Sequence, residues 1–260
     1  MKAQRTLIFF LGPLLWLALS ACSAILPGQE GTPTASASPT ATATLTPTVN
    51  WFPVTATPTP TDTPQPTVPT QAPPPTIGSL IFKDDFTDRR LWTSGESSVG
   101  TIAYGVAELD LAISQPKGVL ISQRAEPVLT DFYLEITAVP SLCLNGDNYG
   151  IQFHMSSAGD FYRYLVSCRG QIRLERLKGG VGQVLIDWSP SAQAVPNATD
   201  TYRLGVWMSG KNLKLYLNGI LQGSVVDDSL SSGGLGLFAR SMGDNPVTVG
   251  FSDLEVYQPG

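Results

Sequence analysis

Tyr149-Gly150-Ile151-Gln152-Phe153-His154-Met155 alternates between apolar and polar side chains, and the run from Tyr162 to Cys168 repeats that alternation after a six-residue gap. A period of two is typical of β-strands, in which every second side chain points to the same face. If the two runs pair as a hairpin, one shared face is apolar and is predicted to form the core. It carries Tyr149, Ile151, Phe153, Met155, Tyr162, Tyr164, Val166 and Cys168.

Similar short runs recur along the second half of the chain, separated by turn-forming residues. Ser209-Gly210, Asn218-Gly219 and Gly179-Gly180 favour the positive φ values of tight hairpins. No long segment has a helical period, so we expect an all-β domain in which two antiparallel sheets pack as a β-sandwich. The further predicted strands are Asp131–Val139, Gln171–Leu177, Tyr202–Met208, Leu213–Leu217, Gly234–Ala239 and Val247–Tyr257.

Several motifs in this domain occur in the order typical of one family of sandwiches. They are Asp84-Asp85-Phe86, Tyr149-Gly150-Ile151-Gln152-Phe153, Phe161-Tyr162, Leu185-Ile186-Asp187-Trp188, Leu213 to Gly219, Gly234 to Leu237 and Val249 to Leu254. In this order the chain resembles the concanavalin-like and laminin-G-like jelly rolls. It resembles in particular the 3-keto-disaccharide-hydrolase-type domain, also called domain of unknown function 1080. The resemblance implies a jelly-roll fold but little about function, because the motifs are strand and turn positions.

The N-terminus has the features of an export signal. Lys2 and Arg5 precede an apolar run from Leu7 to Leu19, and Leu19-Ser20-Ala21-Cys22 follows it. This arrangement resembles the lipobox of bacterial lipoproteins, in which the cysteine becomes the lipidated first residue. We therefore expect residues 1–21 to be a signal peptide and Cys22 to be the lipidation site. The mature protein is then expected to be exported and lipid-anchored to the cell membrane, with its domain outside the cytoplasm.

Residues 22–78 are predicted to be a lipidated N-terminus followed by a disordered stalk. Of the 51 residues from Gly28 to Gly78, 27 are threonine or proline, which cannot build a core or a regular helix. The β-sandwich domain is predicted to occupy residues 79–260.

Two cysteines remain within the domain, Cys143 and Cys168. In an exported protein an even pair favours a disulfide over a metal site. Removing the signal's two basic residues leaves 14 Lys plus Arg against 21 Asp plus Glu, a balance of −7. This acidic balance gives no electrostatic reason to bind nucleic acid.

The predicted sheet face opposite the core combines aromatic rings with amide and charged groups. Such a mixture suits sugars, whose C–H faces stack on rings while their hydroxyls form hydrogen bonds. We therefore predict a non-catalytic, surface-displayed, carbohydrate-binding module, with an envelope structural or adhesion module as an alternative. The candidate ligand-binding residues are Gln152, His154, Arg163, Arg173, Glu175, Trp207 and Tyr216, with Lys214, Phe238 and Arg240 on the same predicted face.

The other alternative is a glycoside or 3-keto-glycoside hydrolase. Glu108-Leu109-Asp110 begins like the Glu-x-Asp-x-x-Glu motif of sandwich-fold glucanases, but Ile113 replaces the third acid. A proton shuttle between His154 and Glu175 is the remaining enzymatic hypothesis. No catalytic residue and no cofactor is assigned.

A structural calcium ion is a further hypothesis for this domain. Carboxylate oxygens suit calcium, and the aspartates near the predicted ends of the sandwich and in its glycine-rich loops are the candidates. They are Asp84, Asp85 and Asp253, or Asp147 and Asp244.

Overall fold

The computed structural model describes residues 76–197 and 199–260, and these residues form fifteen β-strands in two antiparallel sheets without an α-helix. The predicted all-β sandwich is confirmed. The strands are β1 (Ile77–Asp84), β2 (Gly95–Glu96), β3 (Gly100–Tyr104), β4 (Leu109–Ile113), β5 (Val119–Leu129), β6 (Phe132–Leu142), β7 (Asn148–Met155), β8 (Phe161–Ser167), β9 (Gln171–Lys178), β10 (Val181–Pro190), β11 (Tyr202–Ser209), β12 (Asn212–Leu217), β13 (Ile220–Val226), β14 (Gly233–Arg240) and β15 (Val247–Pro259).

Each sheet combines strands that are distant in sequence. The nine-stranded sheet has the order β13-β12-β11-β6-β15-β4-β3-β2, and β1 pairs with β15 beside this path. The six-stranded sheet has the order β10-β9-β8-β7-β14-β5. Strands β14 and β15 therefore lie inside different sheets although they are consecutive, which ties the two layers together.

All eight predicted strands are present. Seven strands (β1, β2, β3, β4, β5, β10 and β13) were not predicted, and several of these are exposed or interrupted. In β10 the register with β9 shifts twice, and most of its side chains are exposed or half-buried, so no clean alternation is visible in its sequence. Strand β1 begins at Ile77, two residues before the predicted start of the domain.

The core lies between the two sheets and has the composition that alternation predicts. Tyr149, Ile151 and Phe153 of β7 are at most 1% exposed, as are Tyr162, Tyr164 and Val166 of β8. The opposite sheet contributes leucines and valines such as Leu204, Val206, Leu213 and Leu215. Each fully buried aliphatic side chain contributes about 1.5–3 kcal/mol of hydrophobic free energy, so this layer is the main source of stability.

A β-bulge at the end of β7 changes the predicted orientation of two residues. His154 has a φ of 50°, and the pairing with β14 skips it, because Gly234 lies opposite Met155 and Leu235 lies opposite Phe153. An extra residue reverses the alternation. His154 consequently turns inward and Met155, which was predicted to face the core, is half-buried on the outer side.

The predicted disulfide and two of the three predicted tight turns are confirmed, whereas in Ser209-Gly210 only Gly210 has a positive φ, of 55°. Cys143 and Cys168 are bonded, with a Cα–Cα distance of 5.7 Å, and this bond fastens the loop before β7 to the end of β8. Asn218-Gly219 has φ values of 51° and 76°, and Gly179-Gly180 has values of 56° and 77°. Two consecutive positive φ values define the two-residue hairpin turn that glycine makes accessible.

The predicted signal peptide, Cys22 and the stalk up to residue 75 lie outside the described residues. Nothing with the length and hydropathy of a bilayer-spanning helix occurs in the part of the chain that the structure describes.

Candidate ligand-binding face

The outer face of the six-stranded sheet brings together four of the seven predicted ligand-binding residues. Gln152, Arg163 and Glu175 lie side by side on β7, β8 and β9, because Gln152 is opposite Arg163 and Arg163 is opposite Glu175. Arg173 lies two residues from Glu175 on the same face, and Phe238 and Arg240 of β14 belong to it as predicted. We call this surface the arginine face.

Trp207 and Tyr216 do not belong to the arginine face. They lie on β11 and β12, in the nine-stranded sheet, and their neighbours along each strand are the core residues Val206, Leu215 and Leu217. Because the core separates the two sheets, their outward side chains are on the opposite side of the sandwich, together with Lys214. The prediction of one face was wrong, since alternation distinguishes inside from outside but does not assign a strand to a sheet.

His154 belongs to neither outer face. It is 1% exposed and packs against Phe132, Phe153 and Tyr162. Its Nδ1 is 3.0 Å from the Leu230 carbonyl oxygen and its Nε2 is 2.9 Å from that of Thr130. Burial lowers the pKa of the His154 imidazole, although the two carbonyl oxygens oppose this effect. The predicted position on the polar face, and a proton shuttle with Glu175 across the sheet, are therefore wrong.

Charged groups on the arginine face form a short chain. Arg163 donates from Nε and Nη2 to Glu175 Oε1, and the Nε distance is 2.7 Å. Arg173 Nε is 3.3 Å from Glu175 Oε2, and its Nη1 is 3.9 Å from Asp187 Oδ1. Burial lowers the pKa of the Arg163 guanidinium, and the Glu175 carboxylate opposes that shift. One carboxylate therefore neutralises Arg163 and leaves Arg173 weakly paired.

Aromatic rings support these guanidinium groups. Arg163 lies over the ring of Phe238 at 4.1 Å from its centroid, and Arg240 lies at 5.2 Å from the same centroid. Arg173 lies 5.5 Å from the centroid of the half-buried Trp188 on the edge strand β10. Such cation–π contacts hold long side chains in fixed positions on a sheet surface.

A cleft of about 290 Å³ opens between Arg173, Trp188 and Arg240 at the end of this face nearest the disulfide. Asn148 on its floor is 2% exposed; its Nδ2 donates to the Gly146 carbonyl oxygen, but its Oδ1 has no hydrogen-bond partner among the described residues. Buried polar atoms are normally paired, so an unpaired one in a residue that lines a cleft makes that cleft a candidate ligand site. The cleft lining comprises Gly146, Asn148, Leu165, Ser167, Arg169, Gln171, Arg173, Glu175, Trp188, Arg240 and Met242.

Asn148, Arg169 and Trp188 were not among the predicted site residues. Asn148 could have been found, because alternation places it on the same face as Gln152. Trp188 could not, because the two register shifts in β10 hide the direction of its side chain.

A second cleft, of about 280 Å³, adjoins the first and shares Arg173 and Glu175 with it. Phe161 and Leu177 provide apolar walls, and the exposed edge of β10 provides Val184. The two clefts together form a polar depression along β8, β9 and β10.

Gln152 lies beneath this surface. It is fully buried, and neither its Oε1 nor its Nε2 has a hydrogen-bond partner in the part of the chain that the structure describes. Its Oε1 and the Met155 sulfur occupy the space above Gly236 on β14. Gln152 is therefore on the predicted face, but it supports the arginine face from below and does not line either cleft.

The outer face of the nine-stranded sheet carries a different network, which we call the tyrosine face. Glu135 and Glu255 lie opposite each other on β6 and β15, and Arg203 bridges them with distances of 2.7 and 3.1 Å. Tyr133 donates to Glu135, and Tyr257 donates to Glu255 at 2.9 Å. Tyr216 packs edge-on against Tyr133 and is 2% exposed, so it is part of the packing under this network.

The two acids of the predicted glucanase-like motif also lie on the outer side of the nine-stranded sheet. The carboxylates of Asp110 and Glu108 both lie beside the outer surface of Gly250 on β15. Burial raises the pKa of the Asp110 carboxyl, and the negative charge of Glu108 adds to this shift. Ile113, at the position of the missing third acid, is 1% exposed in the core.

Three of the five aspartates considered for calcium, Asp84, Asp85 and Asp147, have other partners. Asp84 accepts from Arg124 and from Trp92 Nε1 at 2.9 Å, Asp85 accepts from Thr87, and Asp147 accepts backbone N–H groups of Leu144 and Met242. The described residues contain no group of three His, Cys, Asp or Glu side chains arranged to hold a metal ion.

Comparison with known proteins supports the fold. No protein-family model matches the sequence, and no curated protein matches it. Among solved structures, the chain is similar to a protein of unknown function with a galectin-like fold from Bacillus subtilis (14% identity, TM-score 0.55, covering 71% of this chain and 98% of that chain). It is also similar to a β-glucanase from Bacillus licheniformis (12% identity, TM-score 0.53, covering 70% of this chain and 99% of that chain). A third similar structure is LamA from Z. galactanivorans in complex with laminaritriose and laminaritetraose (12% identity, TM-score 0.52, covering 70% of this chain and 100% of that chain). At these identities the similarity establishes a concanavalin-like, galectin-like sandwich and no more.

Proposed function

We propose that the domain is a carbohydrate-binding module whose ligand lies in the cleft between Arg173, Trp188 and Arg240. The observation that carries this proposal is the unpaired Oδ1 of the buried Asn148 on the floor of a cleft with Trp188 in its wall. The C–H face of a sugar ring can pack on the indole while its hydroxyls pair with polar groups of the cleft lining, and a small rotation of the Asn148 side chain would bring its Oδ1 within reach. The similarity of the fold to a β-glucanase and to LamA in complex with laminaritriose and laminaritetraose supports a saccharide as ligand.

The cellular setting is part of the same proposal. The lipobox-like Leu19-Ser20-Ala21-Cys22 and the Thr/Pro-rich stretch after it support an exported protein, lipid-anchored at Cys22 and displayed on a stalk. The order of motifs in the domain supports a relationship to the 3-keto-disaccharide-hydrolase-type domains. Mass spectrometry of the N-terminal peptide of the membrane-extracted protein checks the anchor, because an unmodified Cys22 thiol contradicts it.

Two tryptophans on opposite sides of the sandwich provide the test. The full chain is applied to a glycan microarray, and the affinity for the best glycan is then measured by isothermal titration calorimetry. Trp188→Ala should weaken binding about tenfold because the stacking surface is lost. Trp207→Ala removes a similar ring from the tyrosine face and should leave the affinity unchanged.

If Trp207→Ala weakens binding and Trp188→Ala does not, the ligand site is on the tyrosine face and this assignment is wrong. If the array shows no binding at all, the carbohydrate proposal fails and an envelope adhesion role becomes the better hypothesis.

A further inference from the structure

The charge of the cleft differs from that of the chain. Three arginines, Arg169, Arg173 and Arg240, line the cleft together with one carboxylate, that of Glu175. The lining therefore has a net charge of +2. The whole chain, by contrast, has a formal net charge of −5 at pH 7. Asp187 lies at the rim, 3.9 Å from Arg173 Nη1, and its side chain is 82% exposed, so it screens the cleft only weakly. A positive depression on an acidic protein attracts anions.

These arginines also have unused hydrogen-bond donors. Among the described residues, Arg240 and the exposed Arg169 form no hydrogen bond or ion pair, whereas Arg173 forms ion pairs with Glu175 at 3.3 Å and Asp187 at 3.9 Å but no hydrogen bond. By contrast, Arg163 is paired with Glu175, and Arg176 with Asp227 and Gln183. The cleft therefore holds two arginines without ion pairs, Arg169 and Arg240, and one, Arg173, that shares Glu175 with Arg163.

Arg240 is fixed although it is unpaired. Its guanidinium stacks on Phe238, which is fully buried and also supports Arg163 on the same ring. A guanidinium held in place before binding loses less entropy when it forms the two parallel hydrogen bonds that carboxylates and sulfates accept. This arrangement suits an anion better than a neutral hydroxyl.

We infer that the cleft binds an acidic saccharide, in which a carboxylate or sulfate group contacts Arg173 and Arg240 while the sugar ring lies against Trp188 and Asn148. The inference rests on the proposed carbohydrate-binding function and names its ligand class. A uronic acid and a sulfated sugar present the same anionic chemistry to the two guanidinium groups, so the experiment separates these sources.

The test is affinity electrophoresis of the full chain in gels that contain one polymer each. Polygalacturonate supplies carboxylates on sugars, dextran sulfate supplies sulfates, dextran is the neutral polysaccharide, and polyglutamate supplies carboxylates without sugar. We expect retardation by polygalacturonate or dextran sulfate, and a dissociation constant at least about tenfold higher for both dextran and polyglutamate.

Matched variants show whether the cleft is responsible. Arg240→Gln should raise the dissociation constant about tenfold, and Arg240→Lys should restore part of the affinity by returning the charge. Arg89→Gln removes the same charge from an exposed position outside the cleft and should change the affinity less than twofold. Circular dichroism and the unfolding midpoint of each variant establish that it is folded before its affinity is compared.

Three results would overturn the inference. Equal affinity for dextran overturns the acidic ligand and leaves the carbohydrate-binding function standing. Equal affinity for polyglutamate shows that charge alone is recognised, which contradicts the saccharide. Equal losses in Arg240→Gln and Arg89→Gln show a nonspecific field effect instead of a site.

Discussion

The arginine face and the tyrosine face both place charged groups beside aromatic rings, but they treat their polar atoms differently. On the tyrosine face Arg203 joins Glu135 to Glu255, and each carboxylate also accepts from a tyrosine hydroxyl. No side-chain atom of this network belongs to the buried, unpaired polar atoms found in the described residues. On the arginine face Asn148, Gln152 and Arg173 all contribute such atoms.

This difference separates stabilisation from recognition. A network whose donors and acceptors satisfy one another contributes to folding and offers little to a ligand. Unpaired buried atoms cost free energy in the unbound protein, and a ligand that pairs with them recovers that cost. Composition alone does not make this distinction. Trp207 and Tyr216 were predicted to bind sugar from their residue types, whereas Trp188 was not.

The same substitution on each face gives the largest contrast. Arg203→Met should lower the free energy of unfolding by about 2 kcal/mol, because Glu135 then faces Glu255 without a cation of its own and Glu255 keeps only the ion pair with Lys83. Arg240→Met should change that free energy by no more than about 0.5 kcal/mol, since Arg240 forms no ion pair with any residue that the structure describes. Urea denaturation measures both. Equal losses in the two variants would show that the faces do not differ in this way.

Removing an unpaired amide should stabilise the protein. Gln152→Leu keeps the approximate volume of the side chain and eliminates two buried polar atoms without partners, so we expect a gain of about 1 kcal/mol in the free energy of unfolding. Gln152→Ala is the control and should destabilise, because it leaves a cavity. If Gln152→Leu loses stability by a similar amount, the amide has a partner such as a buried water molecule.

A smaller effect should appear in the dependence of stability on pH. Burial lowers the pKa of His154 below its usual value of 6.5, so the unfolded chain binds a proton before the folded protein does. Stability should therefore be greatest above pH 6.5 and should fall as the pH decreases below that value. His154 is the sole histidine of the chain, so His154→Gln should flatten this part of the profile.

Thermal unfolding of both proteins between pH 5.5 and 7.5 measures this difference. Parallel profiles would indicate that carboxyl groups cause the pH dependence. A loss of glycan binding at pH 7.5 in the folded His154→Gln variant would instead connect this residue to the arginine face.

The sequence predicted the sandwich well because its central strands alternate cleanly. The hairpin from Tyr149 to Cys168 was oriented correctly except at His154 and Met155, and its three tyrosines, Ile151 and Val166 lie in the core. The disulfide was predicted from the number of cysteines and from the predicted export of the protein. Edge strands such as β10 and β13 were missed, since an exposed or shifted strand carries little alternation.

The candidate site could be predicted only in part. Alternation placed Gln152, Arg163, Arg173 and Glu175 together because they lie on neighbouring strands. It could not show that Trp207 belongs to the other sheet, since sheet membership depends on long-range pairing. It also failed at His154, where one bulged residue with a positive φ reverses the order of inward and outward side chains.

The pairing of β1 with β15 brings the two ends of the described chain together, and the Gly260 N–H donates to the Thr76 carbonyl oxygen at 2.9 Å. Entry and exit thus occur at one corner of the nine-stranded sheet, away from the outer surface of β8, β9 and β10. A unit with adjoining ends can be spliced into a surface loop of a host protein without stretching either connection. The same geometry suits a reporter fused after Gly260, which would share the attachment point of the preceding segment and leave the cleft beside Trp188 unobstructed.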